Sequence, residues 1–191
     1  EAKCDMSVKD GENNIVYTDG SASGNGNGPL ARAGYAAYFT SGPLTGLKLV
    51  GRIGPVQIPG EEEFIFPSNI RGEGFAIIRA LEAILARPEK PVVEVVTDSE
   101  FWINMIKIFM PRWVNNGTPW ASKKNPDMTR LLWKLVCDFE ARAGSLILRH
   151  VYSHGKDKQI NPIDKKWNDY VDKLAGEARN SAEFFESAKR D

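Results

Sequence analysis

Four acidic residues stand in short motifs that suit metal-dependent chemistry: Asp19 in Tyr17-Thr18-Asp19-Gly20-Ser21, Glu73 in Arg71-Gly72-Glu73, Asp98 in Thr97-Asp98-Ser99, and Asp172 in Asp172-Lys173-Leu174-Ala175. Each carboxyl falls at the end of an apolar strand or on the inner face of a helix, where its charge is costly unless a cation meets it. Hard oxygen ligands favour Mg²⁺ or Mn²⁺ over zinc. Two such ions about 4 Å apart would clamp a phosphate, one activating a water and the other stabilising the leaving oxygen. The four acids therefore predict phosphodiester chemistry.

Bulk composition limits the classes to which the chain can belong. Its 191 residues, 42% of them apolar, suit one domain, and 25 basic residues balance 25 acidic ones, so a nucleic-acid binder must concentrate its positive charge locally. No apolar run approaches the roughly 20 residues that span a membrane. The two cysteines, Cys4 and Cys137, do not make a disulfide framework, which fits a reducing compartment. We expect an intracellular, monomeric protein.

The elements that position the acids follow from the periodicity of the sequence. After a polar leader at 1–14, a single domain at 15–191 is predicted, with strands at 15–19, 34–40, 46–53, 92–97 and 146–151. Helices are predicted from 69 to before Pro88, from 99 to about 110, from 126 to 143, and from about 167 towards the end of the chain. Residues 54–68, 111–125 and 152–166 are predicted connections. The pattern indicates an α/β fold: a mixed five-stranded sheet, three antiparallel strands then parallel ones, with helices on both faces.

This arrangement brings the acids together. In an open α/β sheet, chemistry collects at the carboxyl ends of strands, where Asp19 and Asp98 fall. Glu73 lies on the buried stripe of its helix, and Asp172 comes from the last helix. Asp169 competes with Asp172, because residues three apart lie within about 60° on a helix. A side-chain nucleophile is not needed, and the only two histidines are His150 and His154.

The four motifs, in this order, resemble the type 1 ribonuclease H family, which includes cellular and reverse-transcriptase-like enzymes. The resemblance covers residues 15–179 and favours Asp172 as the fourth ligand. It implies metal-dependent endonucleolytic cleavage of the RNA strand of RNA–DNA hybrids, leaving 5′-phosphate and 3′-hydroxyl ends. It also implies two Mg²⁺ ions, with Mn²⁺ as a possible substitute.

Further positions match the family one at a time. His154 resembles the histidine that helps to move protons or release product, and a loop histidine without a role is the alternative. The substrate-contacting positions of the family correspond to Asn25, Ser68, Asn69, Ser99, Glu100, Trp113, Trp120, Lys123 and Lys124. Two positions depart from its pattern, since the family usually has asparagine where this chain has Ile70 and glutamine where it has Glu100. Ser68 and Asn69 fall near a DNA-phosphate pocket, whereas the tryptophans and lysines resemble a basic protrusion that grips DNA. Ordinary core packing is the alternative for the tryptophans, and a solvated surface for the lysines.

Two other functions remain open from the sequence. A nuclease of the same fold could act on DNA, as junction resolvases and transposase-like proteins do, although the motif spellings disfavour it. A catalytically silent domain could bind a hybrid or a protein partner, although all four carboxylates are intact. The acidic run at 61–63 would repel a phosphate backbone, so we expect it to lie away from the substrate.

Overall fold

A mixed six-stranded sheet forms the centre of the computed structural model, which describes residues 13–24, 28–120, 123–152 and 161–191. Its strands are β1 (Asn14–Ser23), β2 (Arg32–Ser41), β3 (Leu47–Ile53), β6 (Val92–Thr97), β7 (Ser145–His150) and β8 (Phe185–Arg190). They lie in the order β7-β6-β1-β2-β3-β8, with β6 parallel to both β1 and β7 and the other pairs antiparallel. A separate hairpin joins β4 (Val56–Gln57) to β5 (Phe64–Ile65).

Helices cover both faces of the sheet, as the sequence predicts. They are α1 (Asn69–Leu85), α2 (Glu100–Asn104), α3 (Met110–Asn116), α4 (Pro126–Ala141) and α5 (Pro162–Arg179), and a π-helical segment, Met105–Phe109, joins α2 to α3. Of the helices in the described ranges, none has the length and apolar character that crossing a bilayer requires. The predicted α/β class with antiparallel and parallel strands is therefore confirmed.

Each face of the sheet has its own apolar core. On the α1 side, Trp102, Ile77 and Leu132 are fully buried between the sheet and the helices α1, α2 and α4. On the opposite side, Val171 and Ala175 of α5 pack on the sheet. Residues on the first face thus come from α1, α2, α3 and α4, whereas α5 covers the second and packs across β1, β2 and β3.

The predicted strand number of five is wrong, because β8 adds a sixth. We expected the last helix to continue towards the end of the chain, but α5 ends at Arg179 and the chain returns to pair with β3 from Leu47↔Arg190 to Arg52↔Phe185. The segment Phe185–Arg190 contains no β-branched residue. Its strand character therefore comes from pairing rather than from propensity.

Other predicted boundaries also change. The connection expected at 111–125 begins as helix α3, which continues directly from the π-helical segment and has Pro111 in its first turn. The connection at 54–68 contains the β4–β5 hairpin. Lys165 and Lys166, expected in a loop, lie in the first turns of α5. Residues 1–12, with Cys4, lie outside the described residues, and Cys137 is an exposed free thiol.

Candidate metal centre

The centre forms where two parallel strands part. β1 and β6 pair in register from Asn14↔Val93 to Thr18↔Thr97, and the pairing stops one residue before both Asp19 and Asp98. β1 continues beyond this point, paired only with β2. The divergence leaves a crevice with one carboxyl on each wall, as expected at the carboxyl ends of parallel strands.

Glu73 enters this crevice because α1 approaches β1 very closely. A Cβ atom at Gly20 would lie 2.3 Å from the backbone N of Glu73, so only glycine permits the contact. Ser68 begins the helix by accepting a hydrogen bond from Arg71 N, 3.2 Å long. One carboxylate oxygen from each of Asp19, Glu73 and Asp98 lies within 4.8 Å of the other two. The convergence predicted for these three acids is therefore present.

Burial makes the negative charge of this cluster costly. Asp19 is only 3% exposed, and its burial, with the charges of Asp98 and Asp172, raises its pKa well above the usual range despite the hydrogen bond from Gly20 N. Burial, with a smaller contribution from Asp98, raises the pKa of Glu73 to about 7, although hydrogen bonds from Ser99 and Asn69 oppose the rise. Burial and mutual repulsion therefore favour neutralisation of the cluster by protons or cations.

Asp172 approaches the cluster from α5. Its side chain forms a hydrogen bond with Asp19 that helps to raise the pKa of the latter. Asp169, the competing candidate, points to the exposed side of the helix, where Lys165 Nζ donates to its carboxylate over 2.8 Å. Asp172 rather than Asp169 therefore contacts Asp19, although the group of three acids with converging oxygens does not include it.

The donor set fits a hard divalent cation. Three carboxylates whose oxygens lie within one coordination sphere, with a fourth adjacent, offer only oxygen ligands. Such ligands suit Mg²⁺ or Mn²⁺, and the described residues bring no cysteine or histidine nitrogen into the three-acid group. A cation here would also offset the mutual repulsion of the acids.

Several predicted substrate residues make contacts within or beside the centre. Asn69 Nδ2 donates to Glu73 Oε1 over 2.9 Å, and Ser99 Oγ accepts from Trp102 N at the start of α2. Glu100 is exposed, 4.0 Å from the ring of His150. His150 Nε2 lies 3.2 Å from the backbone carbonyl oxygen of Asp98, so this histidine contacts the backbone beneath the centre. Asn25 and His154 lie outside the described residues.

The predicted protrusion contains an aromatic cluster. Trp113 and Trp120 pack edge to face with ring centroids 5.3 Å apart, and Trp120 lies 6.3 Å from Trp133. Both are partly buried against the main core, and Lys123 Nζ lies 5.1 Å from the centre of the Trp113 ring. Core packing thus accounts for part of each indole, as the alternative interpretation held.

A cavity of about 800 Å³ opens beside the beginning of α1. Its lining includes predicted substrate residues and cations: Ser68, Asn69, Lys123, Lys124 and Arg130. We expected the acidic run at 61–63 to lie away from these residues, but Glu61 and Glu63 line the same cavity. The electrostatic potential of the cavity therefore depends on the balance between its basic and its acidic lining residues.

Sequence reasoning missed the role of Arg71. Its side chain is fully buried, and it donates to Asp127 over 2.7 and 3.0 Å and to Asn125 over 3.0 Å. This bidentate pair fixes the beginning of α4 against α1, two residues from Glu73. An arginine on the apolar stripe of α1 was the available signal, since a buried cation needs a partner.

The family comparisons agree with this geometry. A model of the RNase H family matches residues 11–180. The chain is 31% identical over 169 residues to the ribonuclease H of Syntrophomonas wolfei, covering 87% of this chain and 96% of that protein. It is 30% identical over 165 residues to the ribonuclease H of Prosthecochloris aestuarii, covering 86% and 93%. The crystal structure of LC9-RNase H1 superposes with a TM-score of 0.61 at 18% identity, over 94% of this chain and 78% of that one, which shows a shared fold.

Proposed function

The chain belongs to the ribonuclease H family, and from that membership we propose that it hydrolyses the RNA strand of RNA–DNA hybrids with Asp19, Glu73, Asp98 and Asp172 as metal ligands. The convergence of three carboxylate oxygens within 4.8 Å carries the proposal. All four acids come from one chain, so the site needs no partner subunit, and we propose that the enzyme acts as a monomer.

The residues of the centre have distinct parts in this proposal. Asp19 and Asp98 sit on opposite walls of the crevice, so a phosphate placed between them meets ligands from two strands. Asn69 and Ser99 orient Glu73 by donating hydrogen bonds to it. When bound, two Mg²⁺ ions would supply an activated water and stabilisation of the leaving 3′-oxygen. Because the carboxylates hold the cations, no side chain has to form a covalent bond to phosphorus.

We propose that the cavity beside α1 holds a phosphate of the DNA strand. Lys123, Lys124 and Arg130 outnumber Glu61 and Glu63 among its lining residues. Ser68 and Asn69 line the cavity and also begin α1, the helix that carries Glu73. A phosphate in the cavity would therefore have a fixed position relative to Glu73. Affinity for the hybrid should accordingly fall with salt, as phosphate contacts require.

The test uses one labelled RNA strand, presented as RNA–DNA hybrid, as RNA duplex and alone, each with Mg²⁺ and with EDTA. We expect the RNA to be cut in the hybrid with Mg²⁺, and not in the RNA duplex, as a single strand or in EDTA. Asp19→Asn and Asp98→Asn remove a charge at nearly constant volume, so each should abolish cleavage while the fold is retained. More than about a tenth of wild-type activity in either variant would contradict the ligand assignment, given the cost of losing a metal ligand.

The same experiment separates the rival functions. Cleavage of an all-DNA duplex or junction, with the hybrid intact, would identify a DNA nuclease. Binding of the hybrid without turnover in Mg²⁺ would identify a silent binding domain.

A further inference from the structure

Helix α5 meets strand β1 at two polar contacts. At the first, the hydroxyl of Tyr17 donates to Asp164 Oδ1 over 2.5 Å, and at the second, Asp172 meets Asp19. Tyr17 and Asp19 are two residues apart on one face of β1, whereas Asp164 and Asp172 are about two turns apart on α5. Two contacts define the direction of a stiff helix across a strand. The position of Asp164 on the sheet therefore affects how close Asp172 lies to Asp19.

The first contact is strongly attractive. Asp164 also accepts from both terminal nitrogens of Arg149, over 2.6 and 3.0 Å, and Arg149 lies 3.4 Å from Glu94 on β6. Asp164 is 8% exposed and Tyr17 3%, so these hydrogen bonds are shielded from water. Tyr17, Arg149 and Asp164, called here the Asp164 tie, thus join the first turn of α5 to β1 and β7.

The second contact brings together Asp172 and Asp19, two of the proposed metal ligands. Between the two contacts, Trp167 and Tyr170 of α5 pack on Tyr38 of β2, and Val171 is buried against the sheet. A restraint at the first turn therefore adds to this packing in fixing where Asp172 lies.

Resting on the proposed function, we propose that the Asp164 tie is a positioning device that holds Asp172 beside Asp19 before metal binds. It lowers the reorganisation that metal binding would otherwise require, and so raises metal affinity. Tyr17, Arg149 and Asp164 are positioning residues, since their contacts are with each other rather than with the acids of the centre.

The test begins with Tyr17→Phe, which removes one hydroxyl and little volume. Binding of Mn²⁺ to the full chain without substrate is followed by the electron paramagnetic resonance signal of free Mn²⁺. The dissociation constant should rise about fivefold, equivalent to about 1 kcal/mol. In cleavage assays, the half-saturating Mg²⁺ concentration should rise similarly while the rate at saturating Mg²⁺ stays near that of the wild type.

A double-mutant cycle shows whether the effect passes through Asp172. In an Asp172→Asn background, Tyr17→Phe should leave Mn²⁺ affinity unchanged, because the carboxylate that the tie positions is gone. An equal fivefold loss in both backgrounds, or no loss in either, would overturn the proposal. Asp164→Asn also weakens the Arg149 contact, so it should raise the Mn²⁺ dissociation constant further. If Asp164→Asn does not fold, the result from Tyr17→Phe is the one that tests the proposal.

Tyr35→Phe is the matched control. Tyr35 is 1% exposed, and its hydroxyl donates to Glu186 over 3.0 Å on the face that packs against α1, so the change removes a comparable hydrogen bond. It should lower thermal stability without changing Mn²⁺ affinity. If Tyr35→Phe weakens Mn²⁺ binding as much as Tyr17→Phe does, the effect is general loosening and the proposal fails. A wild-type protein that binds no Mn²⁺ would instead refute the proposed function.

Discussion

Replacing Glu73 with glutamine is expected to stabilise the metal-free protein while it weakens metal binding. Glutamine keeps a carbonyl oxygen that can accept the hydrogen bond from Asn69, now 2.9 Å long, and it removes the charge that burial disfavours. The variant should be more stable without metal and should bind metal more weakly. It therefore tests both the electrostatic cost of the acidic centre and its role in metal binding.

The magnitude follows from the pKa of Glu73, which is about 7 in the folded protein against an ordinary value of 4.5. Between these values the folded state retains a proton that the unfolded state has lost, so wild-type stability falls as pH rises through this window. The full difference is equivalent to at most about 3.4 kcal/mol. Because the side chain is only partly buried, solvent screens part of it, and we expect about 1 to 2 kcal/mol.

The assay is thermal unfolding of wild type and Glu73→Gln in EDTA at about pH 5 and about pH 8.5. The melting temperatures should differ little at the lower pH, whereas the variant should melt about 3 to 6 °C higher at the upper pH. Saturating Mg²⁺ should raise the wild-type value more than that of the variant. Glu62→Gln, on the exposed acidic run, is the control and should change neither. A variant less stable than wild type at the upper pH in EDTA would refute the reasoning.

Two further predictions concern the residues around the centre. Arg71→Met should lower stability by about 3 kcal/mol, because it strands Asp127 without its bidentate partner, and a fall in melting temperature of about 6 to 12 °C would be the sign in calorimetry. Unchanged melting would show that the pair is not stabilising. In hybrid-binding titrations, Lys124→Gln should weaken affinity and reduce the salt slope by about one, whereas Glu63→Gln should strengthen affinity. Identical responses of the two variants would place the cavity outside the hybrid interface.

The sequence predicted the elements that carry strong local signals. The β-branched run at Val92–Thr97 forms β6 with the predicted bounds, and the apolar stripe beginning at Asn69 forms α1. The meeting of Asp19, Glu73 and Asp98 followed because strand ends and one helix face fix where short side chains can reach.

Features that depend on distant partners escaped prediction. Phe185–Arg190 lacks the composition of a strand, and it becomes one only because the edge of β3 offers unpaired backbone groups. The burial of Arg71 depends on Asp127, which is 56 residues away. The helix predicted to end at about residue 110 does not end there, because the π-helical segment Met105–Phe109 carries the chain on into α3. In each case long-range contacts override the local preference.

The position of β8 has a consequence for how the protein is made. Its residues, Phe185–Arg190, leave the ribosome after every other described element, yet they cover the edge of β3. Until then β3 presents an open row of backbone donors and acceptors beside the apolar Leu49 and Val50, a template for pairing with another nascent chain. Slow synthesis of Phe185–Arg190 would prolong that exposure, so aggregation during expression should depend on the rate at which the codons of this strand are translated.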